Sequence, residues 1–258
     1  MRINYSRVFV AVVFAVLFTS VSGRASQIDD QIVSSANNSY VYKTYLKDDS
    51  VKTVSDDGRV TLTGTVSEDS HKALAQKTVE SLPGVKSVDN QLVVNGQQPA
   101  ENSDGWISMK IKSALLFNRN VSAVKTQVFV TDGMVTLKGQ ADSQAQKDLT
   151  GEYAKDVEGV KSVDNEMTIA DGNTNKPDQD NQNMGNKIDD ASITAQVKMA
   201  FMMHHSTSAF KTGVETNKGV VTLTGNATSG AAKDMATKVA QDVNGVISVV
   251  NNMAIVNP

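Results

Sequence analysis

The residue types that usually carry enzymatic chemistry are sparse in this sequence. It has no cysteine and three histidines, of which His204 and His205 are adjacent. Two neighbouring imidazoles could begin a zinc site, but no carboxylate or further histidine lies at helical spacing from both. The absence of cysteine excludes disulfides, thiolate metal sites, cysteine nucleophiles and a lipid anchor on cysteine. The sequence therefore predicts a protein that is not an enzyme and needs no metal or cofactor.

Serines and glycines recur at fixed spacings, which could indicate a serine nucleophile or a glycine-rich phosphate-binding loop. Ser87, Ser162 and Ser248 have no His or Lys at a consistent position, so a serine nucleophile is not supported. The glycine spacings match neither the dinucleotide-binding nor the P-loop pattern. We interpret the recurring glycines as turn and helix-cap residues. They are Gly58, Gly64, Gly84, Gly133, Gly139, Gly159, Gly219, Gly225 and Gly245.

The composition narrows the classes of partner. The 258 residues include 25 basic and 28 acidic side chains, a formal charge of −3. Nucleic-acid binding proteins usually carry a basic footprint, so nucleic acid is not an expected partner. Aromatic residues make up 5% of the chain, which suits small β-branched cores better than one large aromatic pocket.

The first 25 residues are predicted to be a secretory signal peptide. Arg2 and Arg7 precede an apolar run over residues 8–18, and small and polar residues follow. This run is shorter than the roughly 20 residues of a membrane span, so a retained anchor is the less favoured alternative. Cleavage could follow Ser22, Gly23 or Ala25. The mature chain is therefore expected to be soluble, acidic and exported.

The rest of the chain contains one unit three times. The pattern Gly58-x5-Gly64-x19-Gly84-x5-Asn90 recurs with the same spacings from Gly133 and from Gly219. Copies this far apart indicate tandem small domains rather than a solenoid. The predicted units are 28–96, 103–170 and 188–257. The polar segment 171–187 is predicted to be a flexible linker, so that the third unit folds and tumbles partly independently of the others.

Each unit has the pattern αββαβ. Asp104 is predicted to cap a first helix with apolar residues at Ile107 and Ile111, and Asp190 begins the same helix in the third unit. Asp132-Gly133 predicts a hairpin, and a second helix and an alternating last strand follow. The first helix of the first unit is divergent. The predicted fold class is α+β, with a three-stranded mixed sheet and two helices on one face of each unit.

These motifs resemble the BON domain family, named for bacterial osmotically inducible periplasmic and nodulation proteins. The resemblance rests on the Asp-x-x-Ile helix, the Gly-x-Val-x-Leu-x-Gly hairpin and the Gly-Val-x-Ser-Val-x-Asn ending, and it covers about residues 28–257. It implies a periplasmic protein without catalysis that attaches to phospholipid or other envelope surfaces. The chain departs from the usual two units and lacks a lipobox cysteine, so it resembles the soluble, osmotically inducible members.

One helix carries the composition of a lipid interface. Trp106 and Ile107, followed by Lys110 and Lys112, place an aromatic residue and two cations on the first helix of the second unit. This segment resembles the helix by which lipid-binding members of the family contact anionic phospholipid. The alternative is that Trp106 only covers the end of its own core.

Two functions follow from these observations. The leading hypothesis is a stress-protection protein that associates with an anionic phospholipid membrane surface through its BON units. The alternative is a periplasmic chaperone or adaptor that binds unfolded or outer-membrane polypeptides at exposed sheet edges, with envelope proteins as partners.

Overall fold

The computed structural model describes residues 21–95, 99–170, 188–203 and 212–256. Most of the predicted signal peptide, all of the predicted linker 171–187, and His204 and His205 lie outside the described residues. The described chain consists of three units with the same succession of helix, hairpin, helix and strand.

The bounds of the helices and strands are as follows. Unit 1 contains α1 (Val21–Asn38), α2 (Tyr40–Thr44), β1 (Ser50–Asp56), β2 (Arg59–Val66), α3 (Asp69–Glu80), β3 (Ser87–Asn90) and β4 (Val93–Val94). Unit 2 contains α4 (Asp104–Leu116), β5 (Thr126–Thr131), β6 (Met134–Ala141), α5 (Gln144–Lys155), β7 (Ser162–Asn165) and β8 (Thr168–Ile169). Unit 3 contains α6 (Asp190–Met203), β9 (Thr212–Asn217), β10 (Val220–Ala227), α7 (Gly230–Gln241), β11 (Ser248–Asn251) and β12 (Ala254–Ile255).

Each unit forms a mixed sheet. The hairpin strands pair antiparallel, and the last strand pairs parallel with the second hairpin strand, which is therefore central. In unit 1 the register sets Val60 beside Val88 and Val66 beside Val94. The predicted α+β class with three repeated mixed sheets is confirmed.

The last strand is interrupted, although the alternation of apolar residues predicts one continuous strand. Asn90 causes the interruption through its side-chain amide. Its Nδ2 donates to the Lys72 carbonyl of α3 at 3.1 Å, and its Oδ1 accepts the Leu92 N–H at 3.2 Å. Asn165 and Asn251 make the same two contacts in units 2 and 3. The recurring asparagine thus fastens the last strand to the second helix.

A carboxylate on the first helix holds the hairpin turn. Asp132 and Gly133 have φ angles of 52° and 77°, the two positive values of a type I′ turn. The Asp104 carboxylate accepts the Asp132 N–H at 2.8 Å and the Gly133 N–H at 2.9 Å. Asp29 and Asp190 make the equivalent contacts in the other units. In unit 1 the Ser55 hydroxyl and the N–H of Gly58 lower the pKa of the Asp29 carboxyl.

The first helices begin with a different cap from the predicted one. Ser103 is the cap of α4, and its Oγ accepts the Trp106 N–H at 3.3 Å, whereas Asp104 is already helical. In unit 3 the Asp189 carboxylate accepts the Ser192 N–H at 2.9 Å, one residue before the predicted cap. The predicted aspartate caps are therefore wrong by one residue, because the carboxylates at those positions bind the turn instead.

Helix α6 belongs to two hydrophobic cores. Ile193 and Val197 pack into the core of unit 3. Ala195 and Met199, on another side of the helix, are fully buried in the core of unit 1 beside residues such as Val79 of α3. The prediction that unit 3 tumbles independently is wrong, because its first helix is shared with unit 1.

Units 2 and 3 are also joined, through backbone hydrogen bonds. The N–H of Arg119 donates to the carbonyl of Asp242 at 2.8 Å, and the N–H of Asn244 donates to the carbonyl of Phe117 at 3.1 Å. The Phe117 ring in turn lies edge-on to the Tyr45 ring of unit 1, with centroids 5.4 Å apart. The three units therefore meet in one packed body.

Candidate functional site

The four predicted lipid-binding residues do not form one surface. Ile107 is only 2% exposed and lies in the core of unit 2. Its side chain also lies against Gly159, where φ is 88° and a Cβ would come within 3.0 Å of the Ile107 side chain. Ile107 therefore cannot contact a lipid surface in this fold, and its place in the predicted site is wrong.

Trp106 and Lys110 do lie together. They are one turn apart on α4, and the Lys110 ammonium is 3.8 Å from the centroid of the Trp106 ring. Both side chains are half-buried, with Trp106 packed against the edge of the unit 2 core. The predicted alternative, in which Trp106 covers its own core, therefore describes part of its environment, while the rest of the side chain faces solvent.

Lys112 lies elsewhere on the helix. Six residues of α-helix turn the side-chain direction by about 240°, which places Lys112 far around α4 from Trp106. It is exposed, as expected for that position. The remaining surface is called the Trp106 patch below and consists of Trp106, Met109, Lys110 and Glu158.

Glu158 is a member of this patch that the sequence analysis missed. Its Oε2 lies 3.4 Å from the Lys110 ammonium and its side chain is largely exposed. The two residues are separated by 48 positions, so only the fold brings them together. The ammonium is thus shared between the indole face and a solvent-facing carboxylate, and an anion that approaches the patch must compete with Glu158.

The equivalent face of α6 is buried. The turn-binding aspartates Asp104 and Asp190 align the two helices, so Trp106 and Lys110 correspond to Ser192 and Gln196. Ser192 Oγ accepts the N–H of Val41 at 3.1 Å, and Gln196 Oε1 accepts the hydroxyl of Tyr45 at 3.2 Å. In unit 3 this helix face is therefore a docking surface for unit 1, whereas in unit 2 it remains at the surface.

A groove separates the second helices of units 2 and 3. It has a volume of about 350 Å³, and Leu149, Tyr153, Met235 and Val239 contribute its apolar lining. Its charged lining consists of two acids and two bases, Glu152, Lys155, Asp156 and Lys238. The groove therefore has no excess of either charge.

Tyr153 is a buried titratable residue in the lining of this groove. Its hydroxyl donates to the Asp242 carboxylate. Burial raises the pKa of the Tyr153 phenol, and the hydrogen bond to Asp242 and the negative charge of that carboxylate raise it further. A phenol held protonated in this way is a hydrogen-bond donor and not a general base, so the groove lacks an activated acid–base group at this residue.

A serine, a histidine and an aspartate meet in unit 1, an arrangement that the sequence did not reveal. His71 Nδ1 lies 2.6 Å from Asp49 Oδ2 and 3.1 Å from Ser67 Oγ. In a hydrolase triad the serine and the aspartate bond to opposite nitrogens of the ring. Here both contact the same nitrogen, and the Ser67 N–H also donates to Asp49 at 2.8 Å. The cluster fastens the loop before β1 to the start of α3.

Among the described residues, neither a metal-binding cluster nor a membrane-spanning helix is found. No group of three or more His, Asp or Glu side chains in that part of the chain is arranged to hold a metal ion. Within the same residues, no helix combines the length and the apolar character that crossing a bilayer requires.

Comparison with known proteins gives a consistent family match. A family model described as the BON domain matches residues 28–96, 103–171 and 189–257. The chain is 31% identical over 150 residues to osmotically-inducible protein Y of Escherichia coli K12. The aligned region covers 58% of this chain and 71% of that protein. The chain is 29% identical over 142 residues to the outer membrane lipoprotein DolP of Haemophilus influenzae, covering 54% of this chain and 73% of that protein.

Two other similarities extend the comparison. The chain is 30% identical over 143 residues to a 21 kDa hemolysin of Actinobacillus pleuropneumoniae, covering 54% of this chain and 73% of the hemolysin. Among solved structures, the C-terminal domain of CdsD, a structural protein of the type III secretion system of Chlamydia trachomatis, is 17% identical with a TM-score of 0.23. That match covers 84% of this chain and 95% of the CdsD domain.

Proposed function

Because the chain belongs to the BON domain family and carries three copies of that domain, we propose that it is a non-enzymatic envelope-stress protein that associates with anionic phospholipid surfaces in the periplasm. The names of its relatives support an envelope role, since one is osmotically inducible and another is an outer membrane lipoprotein. The amino-terminal apolar segment supports export.

The Trp106 patch is the observation that carries the lipid proposal. An indole that is partly packed and partly exposed, with an ammonium 3.8 Å from its centroid, combines an apolar body with a polar tip and a positive charge. Such a combination is favoured at the boundary between headgroups and acyl chains. The lysine is already placed beside the ring, so docking does not have to order it.

Any attraction of the chain to an anionic surface has to come from a small patch of the molecule, because the chain as a whole is acidic. Unit 1 carries 10 acidic and 7 basic residues between positions 29 and 94, whereas unit 2 carries 9 and 8 between 104 and 169. The acidic unit 1 opposes approach to anionic lipid, and the screening length is only about 8 Å at physiological salt. We therefore expect weak binding in which unit 2 faces the membrane and salt reduces the affinity.

Vesicle flotation tests this proposal. The chain should float with phosphatidylglycerol vesicles and not with phosphatidylcholine vesicles, and added salt should release it. Trp106→Ala should abolish flotation while circular dichroism stays unchanged. Phe129→Ala is the matched control, because Phe129 is an exposed aromatic residue on the sheet of the same unit, away from α4. Equal flotation of the native chain with both lipids, or equal loss in both variants, would contradict the proposal.

A chaperone or adaptor role is the second candidate, and a specific observation favours it. The outer edge of the sheet in unit 3 exposes Ile247, Val250 and Ile255, which could pair with an extended polypeptide. This role predicts that the chain suppresses aggregation of an unfolded client without binding either type of vesicle. Vesicle binding without suppression would exclude it.

A further inference from the structure

The last strand of unit 3 differs in charge from its counterparts. Residues 247–256 contain no charged side chain, whereas the equivalent segment of unit 1 contains Lys86 and Asp89. In unit 2 the equivalent segment contains three charged residues, Lys161, Asp164 and Glu166. The recurring glycine before each segment, Gly84, Gly159 or Gly245, fixes this alignment.

This strand is also an exposed edge. Among the described residues, β11 and β12 pair only with the central strand β10. Ile247 is 75% exposed and Val250 is 46% exposed, and Ile255 and Val256 are exposed as well. Proteins usually protect such edges with charged side chains, lysine above all, because an unprotected edge pairs with another strand. Units 1 and 2 carry such charges within the segment itself. In unit 3 the segment has none, and a lysine of the neighbouring helix contacts it instead, since the Lys233 ammonium of α7 donates to the Met253 carbonyl at 2.7 Å.

We propose that the edge strand β11–β12 of unit 3 pairs antiparallel with the same strand of a second copy of the chain, forming a symmetric dimer. The absence of charge in residues 247–256 supports a second copy as the occupant, because the same strand of another chain brings no charge to the pairing. Every antiparallel register of two such strands sets uncharged residues against uncharged residues, and a register centred on Val250 brings the two Val250 side chains together at the two-fold axis.

The charge of the whole molecule favours the same surface. The chain is acidic, and two copies that approach through unit 1 bring together a surplus of three negative charges from each copy. Unit 3 has five acidic and five basic residues between positions 189 and 255, so it is the unit through which two copies repel each other least. One strand edge buries less than the roughly 800 Å² per partner of a standard interface, so the dimer should be weak and concentration dependent.

The other two units supply the variant that tests the proposal. Ile247 lies over Gly219, and in units 1 and 2 the aliphatic part of Lys86 or Lys161 lies over the equivalent glycine. A lysine is therefore compatible with the fold at this position. The double substitution Ile247→Lys and Val250→Asp gives unit 3 the charges that units 1 and 2 already carry.

Sedimentation equilibrium of the full chain, in a concentration series reaching high micromolar, gives the primary readout. The average mass of the native chain should rise toward that of a dimer, and the double variant should stay monomeric. Phe129→Lys, a charge placed at an equally exposed apolar residue of unit 2, should leave dimerisation unchanged. Hydrogen exchange over residues 248–256 should slow with concentration in the native chain alone.

Three results would overturn the proposal. One is a native chain that remains monomeric throughout the series. Another is a dimer that persists in the double variant. The third is a monomeric chain whose β11–β12 amides become protected only when an unfolded client polypeptide is added, which would assign the edge to a foreign strand. Circular dichroism of the double variant verifies that a monomeric result does not come from unfolding.

Discussion

The same helix face is used in opposite ways in units 2 and 3. On α6 it is buried against unit 1, with Ser192 and Gln196 bonded to unit 1 groups. On α4 it carries Trp106 and Lys110 at the surface. The repeat therefore provides the same helix face in both units. In unit 3 this face is buried against unit 1, and in unit 2 it remains exposed. This difference suggests that the free copy is the one that meets an external partner.

A carboxylate introduced on this face should destabilise the protein far more in unit 3 than in unit 2. Ala195 of α6 corresponds to Met109 of α4, and only Ala195 is fully buried. Ala195→Asp should cost about 3–5 kcal/mol, because it places an unpaired carboxylate between units 1 and 3. Met109→Asp should cost less than about 1 kcal/mol at its half-exposed position. Urea denaturation measures both, and equal costs would mean that the two faces are not used differently.

Charge reversal at two lysines on different sides of α4 separates a local effect from an effect of net charge. Lys110→Glu should weaken binding to phosphatidylglycerol vesicles at least about fivefold, since each basic residue near an anionic surface contributes about 1 kcal/mol. Lys112→Glu makes the same change in net charge far around the helix and should have a clearly smaller effect. If the two variants lose affinity equally, net charge and not the Trp106 patch governs binding.

The stability of the contact between α6 and unit 1 should decrease at alkaline pH, because Tyr45 lies in this contact. Burial, and then the neighbouring Tyr40, raise the pKa of the Tyr45 phenol above its ordinary value of 10.0. The stability that this shift contributes is complete below pH 10 and is lost as the pH rises through the folded-state pKa. Tyr45→Phe should cost about 1 kcal/mol near pH 7 through the lost hydrogen bond to Gln196, yet flatten the loss of stability above pH 10. Urea denaturation at a series of pH values tests this, and an unchanged alkaline slope would contradict it.

Removing the charge of Glu158 should strengthen lipid binding slightly, whereas reversing the charge of Lys110 weakens it. Glu158 competes with lipid phosphate for Lys110, so Glu158→Gln should strengthen binding to anionic vesicles a few-fold at most, within the range of an exposed ion pair. Glu152→Gln removes the same charge from the groove lining of unit 2 and serves as the control. Weaker binding of Glu158→Gln would show that the carboxylate positions Lys110 rather than competing for it.

The sequence was sufficient for the architecture of each unit because the relevant signals are local. The Asp132-Gly133 turn and the Gly159 cap depend on backbone angles that few other residues adopt readily. The spacing of Ile107 and Ile111 predicted correctly that both residues lie in the core. The same spacing was therefore evidence against Ile107 as a lipid-binding residue. A residue on the core stripe of a helix is not available to a ligand on its outer face.

The packing between units could not be predicted in the same way. Ser192 and Gln196 are polar and suggest a solvated face, yet their partners are the backbone of Val41 and the hydroxyl of Tyr45, 151 residues away. A local signal did exist in the spacing of Ala191, Ala195 and Met199, which forms a second apolar stripe on α6. Because the polar segment 171–187 predicted an independent unit 3, this stripe was not interpreted as a contact with another unit.

The fluorescence emission of Trp106 shows whether α4 contacts the membrane, because Trp106 is the single tryptophan of the chain and reports on the α4 face alone. Phosphatidylglycerol vesicles should shift the emission to shorter wavelength as the exposed part of the indole moves to the headgroup boundary, and salt should reverse the shift. Phosphatidylcholine vesicles should leave it unchanged. An emission that does not move while the chain demonstrably floats with anionic vesicles would contradict the account, because the membrane would then be contacted by another surface.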